Sequence, residues 1–399
     1  MWKTVKISDV CEFQSGLWKG KKTPFTKANV IRNTNFRPDG NLSYKNIALL
    51  EVETKELSKR QLHHGDIILE KSGGGEKTPV GRVCLFEKKN DKTPFSLSNF
   101  TCFIRVKEPS ILDYKFLHKF LNYMYASGKT ETMQRNSTGI RNLQLKEYKD
   151  VFIPIPPLAE QKLIVTKLDA AFTELDKTIN IAQETIKNTN LLFEKKIKQY
   201  FIDNITNAPF VKLSDISEYF NGLTYSPKDV SDKGIIVLRS GNIQNGKMEY
   251  SDIKRVNKEI KDKLYLKPTD LLICSRNGSQ RLIGKSSLIG EMKEPMTFGT
   301  FMMIVRSEHN HYLQWFIKSK LFKKQILKGE NTMINQITRY MLDDISLPFP
   351  NKKIYSKIVD ELEKLDGHIR MMNKILDMKI DNLNKLKLSI LKQELDKAA

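Results

Sequence analysis

The 399-residue sequence predicts an α+β fold in which two mixed α/β domains alternate with two long helices. Three observations support this prediction. Much of the chain is repeated about 200 residues later. Each copy contains short apolar runs of the strand type, separated by Gly, Asn and Ser and by helical patches. Each copy is also followed by a heptad pattern of apolar residues, which is typical of a helix with a long partner helix.

The repeat is visible in five pairs of segments. They are residues 5–13 and 211–219, 31–35 and 238–242, 65–69 and 269–273, 94–105 and 295–306, and 153–156 and 347–350. A solenoid unit spans about 20–50 residues, so this period is too long for one. The repeat therefore predicts two copies of one domain, an arrangement suited to contacting two places on one elongated partner.

The division of the chain follows from this repeat. The predicted boundaries are 1–157 and 204–350 for the domains, and 158–203 and 351–399 for the helices that follow them. Within the domains, strand-type runs are expected at 66–69, 100–106 and 270–274, and helical patches at 114–125 and 311–327.

The two helical segments carry an apolar stripe at alternate three- and four-residue spacing. The residues expected at this interface are Leu168, Phe172, Leu175, Ile179 and Ile186 in the first helix and Leu362, Leu365, Ile369, Met372, Leu376 and Leu383 in the second. Because domains and helices alternate, the simplest closed arrangement packs the helices as an antiparallel coiled coil. Two alternatives stay open: each helix packs on its own domain, or the helices form a homodimer.

The composition is strongly basic, with 67 Lys and Arg against 46 Asp and Glu and a formal charge of +21. Such an excess favours polyanions, nucleic acid first and an anionic membrane second, although a merely basic protein is an alternative. No apolar run of about 18 residues is present and the repeat begins at Val5, so neither a membrane span nor a signal peptide is expected. Cys11, Cys84, Cys102 and Cys274 lie far apart in apolar runs, which indicates reduced core thiols in the cytoplasm.

A catalytic site is not predicted. The glycine-rich segment 73–78 lacks the spacing of a nucleotide-binding P-loop and fits a flexible loop against DNA better. The glycine-rich cofactor turn and the Asn/Asp-Pro-Pro-aromatic motif of a methyltransferase are missing. Asp66 and Glu70 with Lys71 hint at a metal nuclease, but Glu70 and Lys71 would face opposite sides of a strand, and Cys274 replaces Glu70 in the second copy. The six histidines do not group with acids or cysteines at metal-ligand spacing, so a non-catalytic chain without a metal site is expected.

Three motifs resemble the specificity subunits of type I restriction-modification systems. Residues 153–161, Ile-Pro-Ile-Pro-Pro-Leu-Ala-Glu-Gln, are similar to the family's boundary between a target-recognition domain and a conserved helical region. Residues 62–69 resemble its Leu-x-x-Gly-Asp strand, and 136–143 its polar loop ahead of the prolines. The second copy departs from the pattern at 351–355, so the two helices need not engage a partner equally. It also departs at 331–337, which implies that the two domains read different sequences.

The resemblance implies a sequence-specific DNA-binding subunit with target-recognition domains at 1–157 and 204–350 and conserved helical regions at 158–203 and 351–399. It implies that each domain reads one half-site of a bipartite target in double-stranded DNA and that the helices set the spacing. The implied partners are two methyltransferase subunits, which use S-adenosylmethionine to methylate adenine, and restriction and translocase subunits, which use ATP and magnesium. The implied location is the cytoplasm of a bacterium or archaeon, in association with the nucleoid. A free-standing two-domain DNA-binding protein and a standalone enzyme are the alternatives.

Candidate DNA-binding residues are polar and basic side chains, which fall mainly in three loop clusters of each domain. Arg suits guanine, and Asn and Gln suit adenine, because each can make two hydrogen bonds to a base edge in the major groove. Lys and Arg also neutralise phosphates. In the first domain the candidates are Lys19, Lys21, Lys22, Arg32, Lys71, Ser72, Gly74, Lys77, Arg135, Asn136, Thr138, Arg141 and Asn142. In the second domain they are Tyr225, Arg239, Arg276, Asn277, Ser279, Gln280, Arg281, Asn331, Thr332, Asn335 and Gln336.

The segment 275–281 is the strongest local signal, since it combines Arg, Asn and Gln with a glycine after an apolar strand. An ordinary exposed hairpin turn is the alternative. Arg32 and Arg239 match between the copies, so they are expected either to contact phosphate or to serve the fold. Four apolar residues of the helices lie off the heptad stripe and indicate either a docking surface for the partner subunits or burial against the domains. They are Leu191, Leu192, Ile375 and Leu388.

Overall fold

The computed structural model describes residues 2–18, 20, 22–37, 40–75, 78–88, 92–137, 139–203, 208–327 and 336–396. The chain forms two compact units: unit 1 comprises Met1–Ala182 and Asp377–Ala399, and unit 2 comprises Gln183–Leu376. Each unit therefore contains one copy of the repeat and parts of both long helices. Some candidate DNA-binding residues lie outside the described residues. They are Lys19, Lys21, Lys77, Thr138, Asn331, Thr332 and Asn335.

Unit 1 is built on a four-stranded antiparallel sheet. In spatial order its strands are Cys11–Ser15, Thr101–Val106, Ile67–Glu70 and Val83–Leu85. All four residues of Ile67–Glu70 are buried, which accounts for their near-continuous apolar sequence. The other strands form a mixed sheet of Ala48–Glu53, Phe25–Ile31 and Phe95–Leu97, an antiparallel sheet of Gln134–Ser137, Ile140–Leu143 and Ser72–Gly74, and a pair of Lys3–Lys6 with Phe152–Ile155.

Short helices cover these sheets. They are Ile7–Val10, Thr54–Arg60, Tyr114–Ala126 and Leu145–Lys149, with 3-10 turns at Asn33–Asn35 and Glu131–Met133. The helix Tyr114–Ala126 begins after Asp113, whose carboxylate accepts the backbone N–H groups of Lys115 and Phe116. Such a cap satisfies N–H groups that have no partner inside the helix and contributes about 1 kcal/mol.

Unit 2 repeats this architecture. Its four-stranded sheet is Glu218–Asn221, Met302–Arg306, Leu271–Cys274 and Ser286–Leu288. The other strands form a mixed sheet of Lys254–Val256, Val230–Leu238 and Met296–Phe298, and pairs of Phe210–Lys212 with Ser346–Pro348 and of Ile243–Gln244 with Lys247–Met248. The predicted α+β fold and its duplication are confirmed. Asp66 and Asp270 fall just before their strands rather than inside them, because each carboxylate accepts a backbone N–H of the preceding turn.

The helices of unit 2 outside the long pair are Asn310–Lys318, Lys320–Ile326 and Arg339–Asp343. The sequence predicted one helical patch at 311–327, but the structure has two helices there. Ser319 separates them, since its backbone is extended and its hydroxyl accepts the N–H of Phe322 to start the second helix. The 3-10 turns of this unit are Leu213–Asp215, Pro227–Asp229, Ser240–Asn242, Asp262–Leu264 and Gln280–Leu282.

The first long helix is Leu158–Lys198, which continues as a π turn at Gln199–Asp203, and the second is Lys352–Leu395. In unit 1 the Lys387 ammonium lies 2.7 Å from the Asp176 carboxylate. In unit 2 the pairs are Asn190 with Asn373 at 3.1 Å and Lys196 with Glu361 at 3.8 Å. In unit 2, partners later in the first helix are earlier in the second, so the segments of the two helices in that unit run antiparallel. All eleven residues expected at the interface are buried or half-buried.

The two long helices begin differently. In unit 1 the buried Gln161 amide donates to the carbonyls of Ile111 and Pro156 and accepts the N–H of Asp113, each at 2.8 Å. In unit 2 the residue at the matching place is Tyr355, whose hydroxyl lies 3.1 Å from His309 Nδ1. A glutamine thus fixes the start of the first helix through backbone groups, whereas an aromatic ring pair fixes the second.

Candidate nucleic-acid interface

Two of the predicted loop clusters of unit 1 meet in one small sheet. Ser72–Gly74, which the sequence placed in a flexible loop, is a strand that pairs with Ile140–Leu143. The expectation of a loop was wrong for these residues, because the neighbouring hairpin supplies partners for their backbone groups. The pairing sets Ser72 opposite Asn142 and Gly74 opposite Arg141. Candidates that are 70 residues apart in sequence, Ser72 and Asn142, therefore share one surface.

Polar contacts order the side chains on this sheet. Ser72 Oγ lies 2.5 Å from Asn142 Oδ1, and the Ser72 carbonyl accepts a hydrogen bond from Asn33 Nδ2 at 2.6 Å. The Lys71 ammonium donates to the Ser15 hydroxyl at 3.1 Å. These hydrogen bonds hold the side chains in place, as direct contact with a base edge requires.

Five further candidates of unit 1 differ in exposure. Arg135 and Asn136 are exposed on the hairpin. Gly74 is buried, so it offers no surface of its own. Arg141 is half-buried, with Nη1 3.9 Å from the Glu131 carboxylate. Lys22 is exposed ahead of Phe25–Ile31, a strand of a different sheet.

Four candidates of unit 2 line clefts that include Phe301, namely Tyr225, Arg239, Arg276 and Gln336. Arg276 forms a backbone bridge with Gln336, and its guanidinium lies 5.8 Å from the centre of the Phe301 ring. Two clefts share Phe301 in their lining. The first is lined by Asn221, Ser275, Arg276, Thr300, Gln336, Arg339 and Tyr340. The second is lined by Tyr225, Ser226, Arg239, Ser240, Gly241, Asp252 and Thr300.

The loop after Leu271–Cys274 is ordered by its own side chains. Asn277 Nδ2 donates to Ser240 Oγ at 3.2 Å, and Asn277 Oδ1 accepts the N–H of Ser279 at 2.9 Å. Asn277 therefore holds the loop as well as lying at the surface. Gln280 and Arg281 are exposed on the 3-10 turn Gln280–Leu282. Burial raises the pKa of the Cys274 thiol, which keeps it neutral beside this loop.

The matched arginines Arg32 and Arg239 begin matched 3-10 turns. Asn35 and Asn242 accept the backbone N–H of the matching arginine at 2.9 Å in each copy, and both asparagines are buried. The turn thus explains the match of the two asparagines, whereas any residue except proline could supply the arginine N–H. The arginine side chains differ: Arg32 is exposed, and Arg239 Nη2 lies 3.0 Å from Asp252. A phosphate contact for either arginine stays a prediction.

Sequence reasoning missed several residues of these clefts. Tyr340 is 84% exposed, Arg339 lies next to it, and Thr300 lines both clefts. The sequence did contain one signal for this site, the match of Phe100 with Phe301 between the copies. Both phenylalanines are exposed in the structure.

The carboxylates considered for nuclease chemistry are bound to arginines. Asp66 accepts two hydrogen bonds from Arg105, each at 2.7 Å, and Glu70 accepts two from Arg82, each at 2.7 Å. These carboxylates raise the pKa of both guanidinium groups by hydrogen bonding. Over the described residues, no group of three His, Cys, Asp or Glu side chains is arranged to hold a metal ion. No helix within the described part of the chain is long and apolar enough to cross a membrane.

Comparisons with known proteins agree on one family. A family model described as "Type I restriction modification DNA specificity domain" matches residues 1–188 and 207–378. The specificity subunit of the type I restriction enzyme EcoKI from Escherichia coli (strain K12) is 24% identical over 395 residues, which cover 92% of this chain and 80% of that protein. The specificity subunit of the type I restriction enzyme MjaVIII from Methanocaldococcus jannaschii is 23% identical over 402 residues, which cover 94% of this chain and 88% of that protein.

The fold has a counterpart among solved structures. A chain from a study of complex assembly and conformational transition of the type I R-M system superposes with a TM-score of 0.73 at 17% identity. The superposition covers 99% of this chain and 97% of that chain, so the likeness in fold extends over both copies of the repeat and both long helices.

Proposed function

The chain belongs to the type I restriction-modification DNA specificity family and is a DNA sequence-specificity subunit, and from this premise we propose that each copy of its repeat reads one half of a bipartite duplex target. The observation that carries the proposal is a shared backbone with different side chains at the same place. Lys71 and Ser72 donate their N–H groups to the Phe100 carbonyl, as Ser275 and Arg276 do to that of Phe301. At matching positions one copy presents serine and the other arginine.

The side chains at these positions can distinguish bases. Arg276 and Gln336 are both exposed and adjacent, and they have the donor geometry for guanine and adenine respectively. Ser72 and Asn142 on unit 1 offer a hydroxyl and an amide instead. Because the two sets differ, the two half-sites are proposed to differ in sequence. The proposed recognition domains are 1–157 and 204–350.

Affinity is proposed to come from phosphate contacts, as the charge of +21 supports. Lys22, Arg32, Arg135 and Arg281 are exposed cationic candidates for this role. Neutralised phosphates release counterions, so binding should weaken steeply as salt is raised.

The long helices, proposed conserved regions 158–203 and 351–399, are proposed to fix the spacing between the half-sites. Their antiparallel segments in unit 2, and the contact of Lys387 with Asp176 in unit 1, support this role. The target is then two short blocks separated by a spacer of constant length.

The proposed partners are two methyltransferase subunits and, for restriction, ATP-driven translocase and nuclease subunits. Leu191, Leu192 and Ile375 are 45–63% exposed and support a docking surface on the helices, whereas Leu388 packs against the core of unit 1. The chain itself is proposed to be non-catalytic, with S-adenosylmethionine, ATP and magnesium bound by the partners. The arginine-bound carboxylates Asp66 and Glu70 support that division.

The test is to co-express the chain with its methyltransferase subunit and map modified adenines across the host genome by single-molecule sequencing. One two-part motif with a constant spacer and methylation in both halves is expected. Methylation at a single, palindromic half-motif would mean that one domain is inactive and that the chain acts as a dimer. If the chain and the methyltransferase subunit are soluble and associate but no adenine is methylated, a free-standing DNA-binding protein is favoured instead.

A further inference from the structure

We propose that Phe100 and Phe301 are matched DNA-contacting wedges, one in each copy, whose rings stack on bases of either half-site regardless of sequence. This inference rests on the proposed function, since it assumes that both copies face duplex DNA. It assigns a role to residues that are neither basic nor polar and that carry no base-specific hydrogen-bonding group.

Both rings lie at the same point of the same turn. The Thr101 N–H donates to the Ser98 carbonyl at 2.9 Å, and the Met302 N–H donates to the Gly299 carbonyl at 2.8 Å. The phenylalanine is the third residue of each four-residue turn. Each turn connects a strand of the mixed sheet to a strand of the four-stranded sheet.

The backbone of each turn is fixed from one side by the loop that carries the DNA-binding candidates. The Phe100 carbonyl accepts the N–H groups of Lys71 at 3.0 Å and Ser72 at 3.1 Å. The Phe301 carbonyl accepts those of Ser275 and Arg276 at the same two distances. Any DNA that contacts these loops therefore approaches the phenylalanines as well.

A glycine closes each turn from the other side. A Cβ atom on Gly16 would overlap the Ser98 carbonyl oxygen, and one on Gly222 would overlap the Gly299 carbonyl oxygen. The backbone thus holds the phenylalanines at constant positions, although the fold does not bury their side chains. Phe100 is 44% exposed and Phe301 is 54% exposed.

The same residue type at positions 100 and 301 indicates a function shared by the two copies rather than the reading of particular bases. Residues that read different half-sites must differ, as Ser72 and Arg276 do. An isolated exposed phenylalanine is ordinary, but the same exposed ring at the same turn of two diverged copies indicates one role in both. That role must be independent of sequence, and stacking meets this condition because every base has an aromatic face.

The surroundings of Phe301 favour a wedge between bases over a passive surface residue. Phe301 lines both clefts, and the Arg276 guanidinium lies 5.8 Å from the centre of its ring. DNA that occupies both clefts therefore contacts Phe301. Apolar side chains placed in this way insert between base steps and partly unstack them.

A crosslinking experiment tests contact directly. The photoreactive analogue p-benzoylphenylalanine is placed at position 100 or 301 of the full-length chain, which is then irradiated with a 40-base-pair duplex pool of randomised sequence. Controls carry the same group at Phe152 or Phe210, which are 59% and 58% exposed in units 1 and 2 respectively. Crosslinks from 100 and 301 that clearly exceed those from the controls are expected. Equal or weaker crosslinks, while the duplex stays bound, would overturn the wedge but leave DNA binding intact.

Substitution tests stacking. Phe301→Ala and Phe100→Ala should each weaken duplex binding about tenfold, whereas Phe301→Trp and Phe100→Trp retain binding, because a larger ring still stacks. Thermal unfolding should be nearly unchanged, since the rings are exposed. Wild-type protein should also raise permanganate reactivity at thymines of a bound duplex, and the alanine variants should not. Unchanged affinity in both alanine variants would contradict the proposal. Failure of wild-type protein to bind any duplex would instead reject the proposed function on which it rests.

Discussion

Asp270 binds Arg306 through two parallel hydrogen bonds, 2.8 Å from Nε and 2.6 Å from Nη2, at the start of the central sheet of unit 2. Asp66 and Arg105 form the same pair in unit 1. The aspartates of the Gly-Asp motif in the first copy and of Thr-Asp in the second are therefore explained by a structural ion pair, and each aspartate also orders the preceding turn.

The first prediction concerns this ion pair. Asp270→Asn leaves a guanidinium without its carboxylate, so we expect the free energy of unfolding of unit 2 to fall by about 3 kcal/mol. Urea unfolding followed by fluorescence of Trp315, which is buried in unit 2, measures the change. Glu294→Gln, which breaks the exposed pair with Arg255, is the control and should have little effect. Equal effects of the two substitutions would refute the prediction.

The second prediction concerns the start of the first long helix. Gln161→Leu keeps the volume but removes the side-chain partner of three backbone groups around a buried amide, so a loss of about 3 kcal/mol in unfolding free energy is expected. Tyr355→Phe, at the matching place of the second helix, removes one hydroxyl contact and should cost about 1 kcal/mol. Chemical denaturation of both variants gives the comparison. A larger loss for Tyr355→Phe would contradict this interpretation.

The third prediction is a pH dependence. Burial, together with the charge of Lys119, lowers the pKa of His118 from 6.5 to about 4. Above pH 6.5 the imidazole is neutral in both the folded and the unfolded chain. Between pH 6.5 and 4 the unfolded chain binds the additional proton, so stability is lost as the pH falls, by about 1–3 kcal/mol. His118→Gln should reduce this acid-dependent loss in urea unfolding at pH 7, 5.5 and 4.5. His63→Gln, an exposed histidine of the same unit, should leave it unchanged.

The fourth prediction concerns specificity. Arg276→Lys keeps the charge but loses the two-point donor, so discrimination at one base pair should fall by about 1–3 kcal/mol, or roughly 5- to 150-fold. Methylome mapping of cells that express the variant should show one relaxed position in a single half-site. Ser72→Ala should change only the other half-site. If either variant relaxed the sequence requirement in both half-sites, the proposal that each domain reads one half-site would be contradicted.

The fifth prediction concerns spacing. Seven residues inserted into each long helix, after Asn190 and after Met372, should extend the pair by about 10 Å while keeping the heptad stripe in register. The spacer of the methylated motif should then lengthen by about three base pairs, with both halves unchanged. Insertions of three residues break the stripe and should abolish methylation. An unchanged spacer after the heptad insertions would exclude a ruler role.

The sequence predicted what periodicity and repetition can show. The duplicated fold, both long helices and the buried cysteines follow from patterns of apolar residues, which depend on burial. It did not predict that Ser72–Gly74 is a strand, because that depends on a hairpin 70 residues away. The break at Ser319 was also missed, because a single cap within a continuous apolar pattern is a weak signal. Tyr340 and Thr300 were missed because sequence alone does not show which loops meet around Phe301.

The glycines behind the two turns have a consequence for engineering. Since no larger residue fits at Gly16 or Gly222 without moving a carbonyl, these positions define the part of each copy that must be conserved when recognition loops are exchanged. A grafted loop from a relative should therefore be joined outside the Gly16–Ser98 and Gly222–Gly299 contacts. We expect chimeras that keep both junctions to fold around the same two turns.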